Sequence, residues 1–277
     1  MRRNTQRPQG PEYLLGSRAE ELARLASQHA TWAREAHALW RRAGFGPGQR
    51  LIDLGCGPGF ATVDLARVVG PSGQVVAVDN AASFLEHLRL AARERQLDQI
   101  EVVDADVRDF ALPTTDFDGA YARWLLCFVD QPEAVIAAAA RALRPGGMLA
   151  ITDYFNYGAF TFAPRSEVMD RVVDAVQVSW RRHGGDLDIQ GRMPGILARC
   201  GFEVLEIRPI SHIALPGSAL WSWPLDFFRG FLPTLVRAEL ISSEDAEAFL
   251  GEWEARSADP SSFLFLPPMV DILARRR

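Results

Sequence analysis

Leu51-Ile52-Asp53-Leu54-Gly55-Cys56-Gly57-Pro58-Gly59-Phe60 is the stretch around which the rest of the chain falls into order. A short apolar run carrying one acidic residue leads into three alternating glycines, and a helix-like stretch, Ala61 to Val69, follows at once. The order is strand, tight turn, helix N-terminus. Glycine lets a backbone come close to a ligand, and free N–H groups at a helix start favour negative charge. A dinucleotide fingerprint requires Gly-x-Gly-x-x-Gly beneath a pyrophosphate. Here the third glycine comes one residue early and Phe60 occupies its place. Asp53, just ahead of the turn, is a poor neighbour for a pyrophosphate and a good one for an ammonium. An amino acid joined to a nucleoside meets both conditions.

S-adenosylmethionine (SAM) is such a molecule, and the decapeptide resembles the first motif of class I SAM-dependent methyltransferases. An ordinary glycine-rich turn in an α/β protein is the plain alternative. The resemblance implies that Gly55, Cys56, Gly57 and Gly59 carry the methionine end of SAM, with Asp53 beside it. Its motifs are specific over about residues 45–155 and looser in the flanks.

A second strand, Gln74 to Val78, ends at Asp79, about 20 residues beyond the turn. An acidic side chain there can accept both ribose hydroxyls, with Asn80 next to it; capping of the following helix is the other use for Asp79. Strand three, Ile100 to Val103, runs into Asp104-Ala105-Asp106-Val107. In the family resembled, an acidic residue here accepts the adenine amino group and the next N–H meets the ring, which selects Asp106 and Val107. Strand four, Phe117 to Leu125, brings Arg123 to the sheet edge where open α/β folds bind ligands. Arg123 is either a SAM contact or the ion-pair partner of a carboxylate. Arg144-Pro145-Gly146-Gly147 is a turn before strand five, Met148 to Thr152. Repeated strand–helix units predict an α/β fold with a doubly wound parallel sheet. The resemblance makes it a mostly parallel, seven-stranded Rossmann-like sheet with helical cap inserts.

Three segments follow: an arm over the cofactor site (1–44), a SAM-binding core (45–155), and the end of the sheet with substrate-cap inserts (156–277). In the arm, a helix is expected from Ser17 as N-cap to Ala43, with Leu22, Leu25, His29, Trp32 and Ala36 on one face. Tyr13-Leu14-Leu15-Gly16, Gln28-His29 and Trp32 resemble the N-terminal segment of a bacterial small-molecule methyltransferase subgroup. That resemblance implies Tyr13 and Gln28 as SAM contacts, with simple packing the alternative for Tyr13 and Trp32. Beyond strand five come helices from Pro164 to Arg182 and Met193 to Cys200, then a sixth strand from Gly201. A helical hairpin, Leu232 to Leu240 and Ser243 to Arg256 capped by Ser243, precedes a last antiparallel strand, Met269 to Ala274. Tyr157, Trp180, Trp221, Trp223 and Phe228 lie in the inserts. They either pack the cap or line a pocket for a bulky, flat or apolar acceptor.

With 277 residues, 48% of them hydrophobic, the chain can bury a substantial core, and a net charge of −5 argues against a duplex-binding surface. No apolar run of about 18 residues is present, so no membrane partner is expected. Three scattered cysteines make neither a disulfide framework nor a metal site, which points to the cytoplasm. Histidine is the usual base for an acceptor that must lose a proton, and His183 and His212 are the candidates. Two classes of function result: SAM-dependent methyl transfer to a small apolar or aromatic molecule, or a SAM-binding protein of the same fold, a cyclase or binding protein, without transfer. Formation of S-adenosylhomocysteine separates them.

Overall fold

The computed structural model describes residues 18–112 and 114–277. Helix α1 (Arg18–Arg42) precedes an alternating series: β1 (Arg50–Leu54), α2 (Phe60–Val69), β2 (Gln74–Asp79), α3 (Ala82–Glu94), β3 (Ile100–Asp104), β4 (Phe117–Arg123), α4 (Pro132–Ala142) and β5 (Leu143–Tyr154). The remainder contributes β6 (Thr161–Ala163), α5 (Glu167–Arg182), α6 (Met193–Arg199), β7 (Phe202–Ile210), β8 (Ile213–Ala214), α7 (Ala219–Arg237), α8 (Ser243–Ser257), β9 (Phe263–Phe265) and β10 (Met269–Arg276). Seven strands form one sheet in the order β3-β2-β1-β4-β5-β10-β7. Strands β1 to β5 pair in parallel, and β10 slots antiparallel between β5 and β7. The expected doubly wound, mostly parallel sheet is therefore present.

Side chains alternate across a strand, so each strand supplies both faces. Ile52, Leu54, Val76, Val78, Ala120, Ala122, Leu149 and Ile151 pack with Val135, Ile136 and Ala139 of α4 and Ile196 and Leu197 of α6. On the opposite face Leu51, Val75, Tyr121 and Ala150 meet Leu39 and Trp40 of α1 and Leu65 and Val69 of α2. Asp53 and Arg123 have the strand parity of Leu51 and Tyr121, which places both on the face covered by α1 and α2. At its far end α1 is tied to the last strand. Arg42 Nη2 donates to Asp271 Oδ2 at 2.6 Å and Nε to Glu206 Oε1 at 2.8 Å.

Four details differ from the sequence expectations. Strand β5 reaches back across the expected turn to Leu143; Arg144, Pro145 and Gly146 bulge out exposed, at a register shift against β4. The aromatic stretch after Ser218 is already helical: α7 starts at Ala219 and absorbs Pro224 and Pro233. Ser242, not Ser243, caps α8, its hydroxyl accepting the Asp245 N–H at 3.0 Å. A second, three-stranded sheet, β6-β9-β8, joins the inserts. Its strands have two or three residues, too short to show periodicity.

Candidate active site

The glycine turn joins β1 to α2 and hangs from β2. Val78 O accepts the N–H groups of Gly55 and Cys56 at 2.9 and 3.1 Å. Gly55, Gly57 and Gly59 have φ of +65°, +52° and +83°, left-handed values that glycine adopts without steric cost. A Cβ at Gly55 would lie 2.6 Å from Leu125 Cδ1 and one at Gly59 2.3 Å from Leu88 Cδ1, whereas one at Gly57 would meet nothing within 4 Å. The open side of the turn is thus at Gly57. Asp79 serves both structures offered to it. Its Oδ2 accepts the Gly57 N–H at 2.8 Å and its Oδ1 the Ala81 N–H at 2.9 Å. A carboxylate has about four acceptor positions, so each oxygen keeps one for another donor. Asn80 follows, exposed.

Asp53 is 2% exposed and accepts the Thr62 hydroxyl at 2.6 Å. Burial pushes its carboxyl up to about 7, against the opposing pull of the Thr62 bond and the Arg123 charge. Arg123 Nη2 lies 2.9 Å from His29 Nδ1, and Nη1 is buried without a hydrogen-bond partner. A guanidinium only donates, so Nδ1 accepts and the ring proton sits on Nε2. That nitrogen is 3.1 Å from Asp64 Oδ2, as is His37 Nε2, while Arg67 donates to Oδ1 at 2.8 Å. The His29 bond first, and the His37 bond after it, hold the Asp64 carboxyl down at about 2. Arg123 is therefore bonded to a histidine, and among the described residues no carboxylate is within ion-pair distance of it.

Asp106 is more heavily engaged than its sequence position suggested. Arg108 donates to it from Nε at 2.9 Å, from Nη2 at 2.6 Å and from its own N–H at 2.9 Å. The Arg108 bond lowers the Asp106 carboxyl below its ordinary range. Val107 is half-buried beside it.

Trp124, the residue after β4, has φ +49°. That conformation costs a non-glycine residue roughly 1–3 kcal/mol and persists only where the surroundings hold it. Here its N–H donates to Thr152 O at 3.0 Å and its indole N–H to Met269 Sδ at 3.0 Å. Its ring is stacked near Tyr154 and Trp223, centroids 6.4 and 5.8 Å away, with Trp32 edge-on at 6.0 Å and the Arg123 guanidinium 4.8 Å from the centroid. Tyr157 meets Tyr154 edge-on at 5.1 Å. Gln28 braces this aromatic wall, its Oε1 accepting from Trp223 Nε1 at 3.2 Å and Arg24 Nη1 at 3.0 Å.

The remaining candidates lie elsewhere. Trp221 donates to Ser257 Oγ at 2.9 Å and packs on Phe162 and Trp253, inside the cap. Phe228 is fully buried among Phe160, Phe249 and Trp253, and Trp180 packs on Phe128, Phe227 and Phe231. Trp221 and Phe228 are cap core because α5, α7 and α8 bury their apolar sides against one another, whereas Trp180 is half-buried at the margin of the cap against the exposed Phe128. His183 is exposed and bonds its own helix at Ser179 O, 2.7 Å away. His212 pairs with Glu35 at 3.2 Å and reaches the aromatic group through Trp32, ring centroids 5.3 Å apart. Tyr13 lies outside the described residues. Sequence reasoning missed the Asp64–His29–Arg123 series, although His29 and His37, eight residues apart on one helix, share a face. It also passed over Trp124 and Tyr154, since nothing local announces which ring turns inward. Among the described residues no cluster of three or more His, Cys, Asp or Glu could hold a metal ion, and no helix is long and apolar enough to cross a membrane.

A methyltransferase-domain family model matches residues 52–151. The O-methyltransferase rstn1 of Aspergillus nomiae is 31% identical over 163 residues, which cover 59% of this chain and 68% of that protein. The chain belongs to the class I SAM-dependent methyltransferases. The ubiquinone/menaquinone biosynthesis C-methyltransferase UbiE of Pseudomonas putida is also 31% identical, over 161 residues and 54% of this chain; the chain spans 59% of UbiE's length. A crystal structure of the protein BH2331 of Bacillus halodurans shares the fold, with TM-score 0.59, 17% identity and coverage of 87% of this chain and 97% of that one. So does the [4+2]-cyclase SpnF, with TM-score 0.55, 20% identity and coverage of 88% and 80%. The family's cofactor is SAM, and the residues of this class I methyltransferase suit it. The turn is open at Gly57, Asp79 has acceptor positions to spare, and the buried acid Asp53 and half-buried base Arg123 share one sheet face.

Proposed function

We propose that the protein transfers the methyl group of SAM to a small, flat or apolar acceptor held against Trp124. The observation that carries this reading is the aromatic group at the ends of β4 and β5, with Trp124 stacked near Tyr154 and Trp223 and next to Arg123. Asp53 and the turn from Gly55 through Cys56 and Gly57 to Gly59 hold the methionine end. Asp79 and Asn80 hold the ribose, and Val107 with Asp106 the adenine. The arm (1–44) covers the core (45–155), and the cap (156–277) completes the acceptor side; Gln28 works from the arm by bracing Trp223. When bound, SAM supplies an activated sulfonium methyl. The protein's own residues then align the acceptor and exclude water, which accounts for much of the catalysis such a displacement needs. Burial pushes the Tyr154 phenol well above its ordinary value, which suits a wall residue.

The test is a panel of phenols, quinols, prenyl compounds, amines and short peptides incubated with the purified protein and methyl-labelled SAM. Label should move to flat or apolar acceptors with one S-adenosylhomocysteine formed per transfer. Trp124→Ala should raise the acceptor KM at least about tenfold, because burying an aromatic ring is worth well over 1.4 kcal/mol. Transfer only to peptides or hydrophilic amines would overturn the acceptor class. Firm SAM binding without transfer to any acceptor would favour a protein of this fold that performs no methylation.

A further inference from the structure

Among the described residues, Arg123 is the charged side chain with a buried donor left unpaired. One edge of its guanidinium bonds His29, while Nη1 is buried without an acceptor. A buried charged donor left unpaired is costly, so a working complex has to supply an acceptor. The nearby acids are engaged elsewhere: Asp53 takes the Thr62 hydroxyl, Asp79 two backbone N–H groups, and Asp64 the two histidines and Arg67.

Position selects the ligand group. In the β1–β4 register Leu54 faces Ala122, so the next residues, Gly55 and Arg123, come level at the start of the glycine turn. Asp53, two residues before Gly55, gives the same face a negative group. A zwitterionic amino-acid end carries the complementary pair, an ammonium for the acid and a carboxylate for the guanidinium. Three elements hold this arrangement. His29 comes from α1, Asp64 from α2 and Arg123 from β4, and the His29 ring is stacked near Phe60, the first residue of α2, at 6.3 Å. Because Asp64 takes the Nε2 proton, Nδ1 stays an acceptor, and the guanidinium is held by a neutral partner that leaves its charge available.

We infer that His29, backed by Asp64, is a positioning residue that aims Arg123 at the carboxylate of the cofactor's amino-acid end, so that α1 must be docked for that carboxylate to be recognised. This rests on the SAM reading above.

The experiment compares SAM with decarboxylated SAM, which keeps the sulfonium and adenosine and lacks the carboxylate. Calorimetry is done on the full chain without acceptor, so an acidic acceptor cannot stand in for the carboxylate. Wild type should prefer SAM by at least about tenfold, the value of one charge-assisted hydrogen bond. His29→Phe keeps a ring beside Phe60 and removes Nδ1; it should lose most of that preference by weakening SAM while leaving decarboxylated SAM within about twofold. Arg123→Gln should do the same and serves alone if His29→Phe fails to fold. His37→Phe, which loses Asp64 but never touched Arg123, should keep the preference. An unchanged ratio in either folded variant, His29→Phe or Arg123→Gln, or equal weakening of the two ligands, overturns the inference. Wild type that binds neither ligand overturns the SAM reading itself, and a ratio near one in wild type overturns only the carboxylate assignment.

Discussion

The Gly57 N–H and Asp79 Oδ2 are 2.8 Å apart, so the turn after β1 and the carboxylate that ends β2 form one unit. Asp79→Ala removes the proposed ribose acceptor and also frees the Gly57 and Ala81 N–H groups. SAM affinity should fall at least about tenfold, and unfolding free energy by about 1–3 kcal/mol. Calorimetry and denaturant unfolding measure the two separately. Unchanged SAM affinity in a folded variant would take the ribose away from Asp79.

Gly57→Ala probes the open side of the turn. Its Cβ meets no protein atom, so the folded state bears only the strain of φ +52°, about 1 kcal/mol. The methyl group would nevertheless stand on the open side of the turn, where the proposed site takes the cofactor. A protein with Tm lowered by a few degrees and SAM affinity lowered at least about tenfold is expected. Native affinity would place the ligand elsewhere.

Acidity gives a prediction with opposite signs for stability and binding. Burial raises the Asp53 carboxyl from 3.8 to about 7. Between those values the folded protein holds a proton that the unfolded chain has lost, so this group's contribution to stability drains away as pH rises from about 4 to about 7. Asp153, raised by burial to about 6, acts in the same direction. Ligand-free Asp53→Asn should therefore gain on wild type between pH 5.5 and pH 8. SAM affinity should do the reverse, rising in wild type over that range as Asp53 ionises to meet the ammonium, and staying flatter in Asp53→Asn. A wild-type affinity that does not change with pH would remove Asp53 from the ammonium.

The structure separates two tryptophans that sequence reasoning grouped together. Trp221→Ala should cost about 3–5 kcal/mol of stability, because its ring is 2% exposed within the cap core, while the folded fraction keeps its turnover number. Trp223→Ala removes a neighbour of Trp124 and the donor to Gln28, and should raise the acceptor KM. Denaturation midpoints and steady-state kinetics on both variants are the check. If Trp221→Ala changes KM as much as Trp223→Ala does, the acceptor lies deeper under the cap.

Arg108 competes with any ligand for Asp106. If Asp106 meets the adenine amino group, Arg108→Ala should hold or improve SAM affinity, and Asp106→Ala should weaken it. Purine-riboside analogues lacking the amino group should show neither effect. Loss of SAM affinity in Arg108→Ala would mean that the Asp106–Arg108 pair acts as a brace for the loop.

The sheet and its glycine turn were legible in the sequence because their signals are local. Three alternating glycines, a strand end at Asp79, and β-branched runs between turns each speak within ten residues, although β4 stops at Arg123, two residues short of its expected end at Leu125. The acceptor side was not, since its parts are joined over long separations. Trp124 is placed by Met269, 145 residues on, and Trp223 by Gln28, 195 residues back. Helix α7 hid behind Pro224 and Pro233, which argue against a helix wherever tertiary packing does not override them. Trp221 and Trp223 are two residues apart on one helix, and helical geometry sends such neighbours to different sides. That is why one entered the cap core and the other the aromatic wall.

The tie between Arg42 and Asp271 spans 229 residues, and β10 is the strand that occupies the gap between β5 and β7. During synthesis at about 5–20 residues per second, α1 waits roughly 10–50 s for its carboxylate partner. Through the latter half of that interval β5 is an open edge with Leu149 and Ile151 already in place, the kind of edge that recruits other nascent chains. Birth on the ribosome therefore leaves this protein with its early strands made and its sheet unsealed, and the element that seals the sheet is also the one that anchors the first helix.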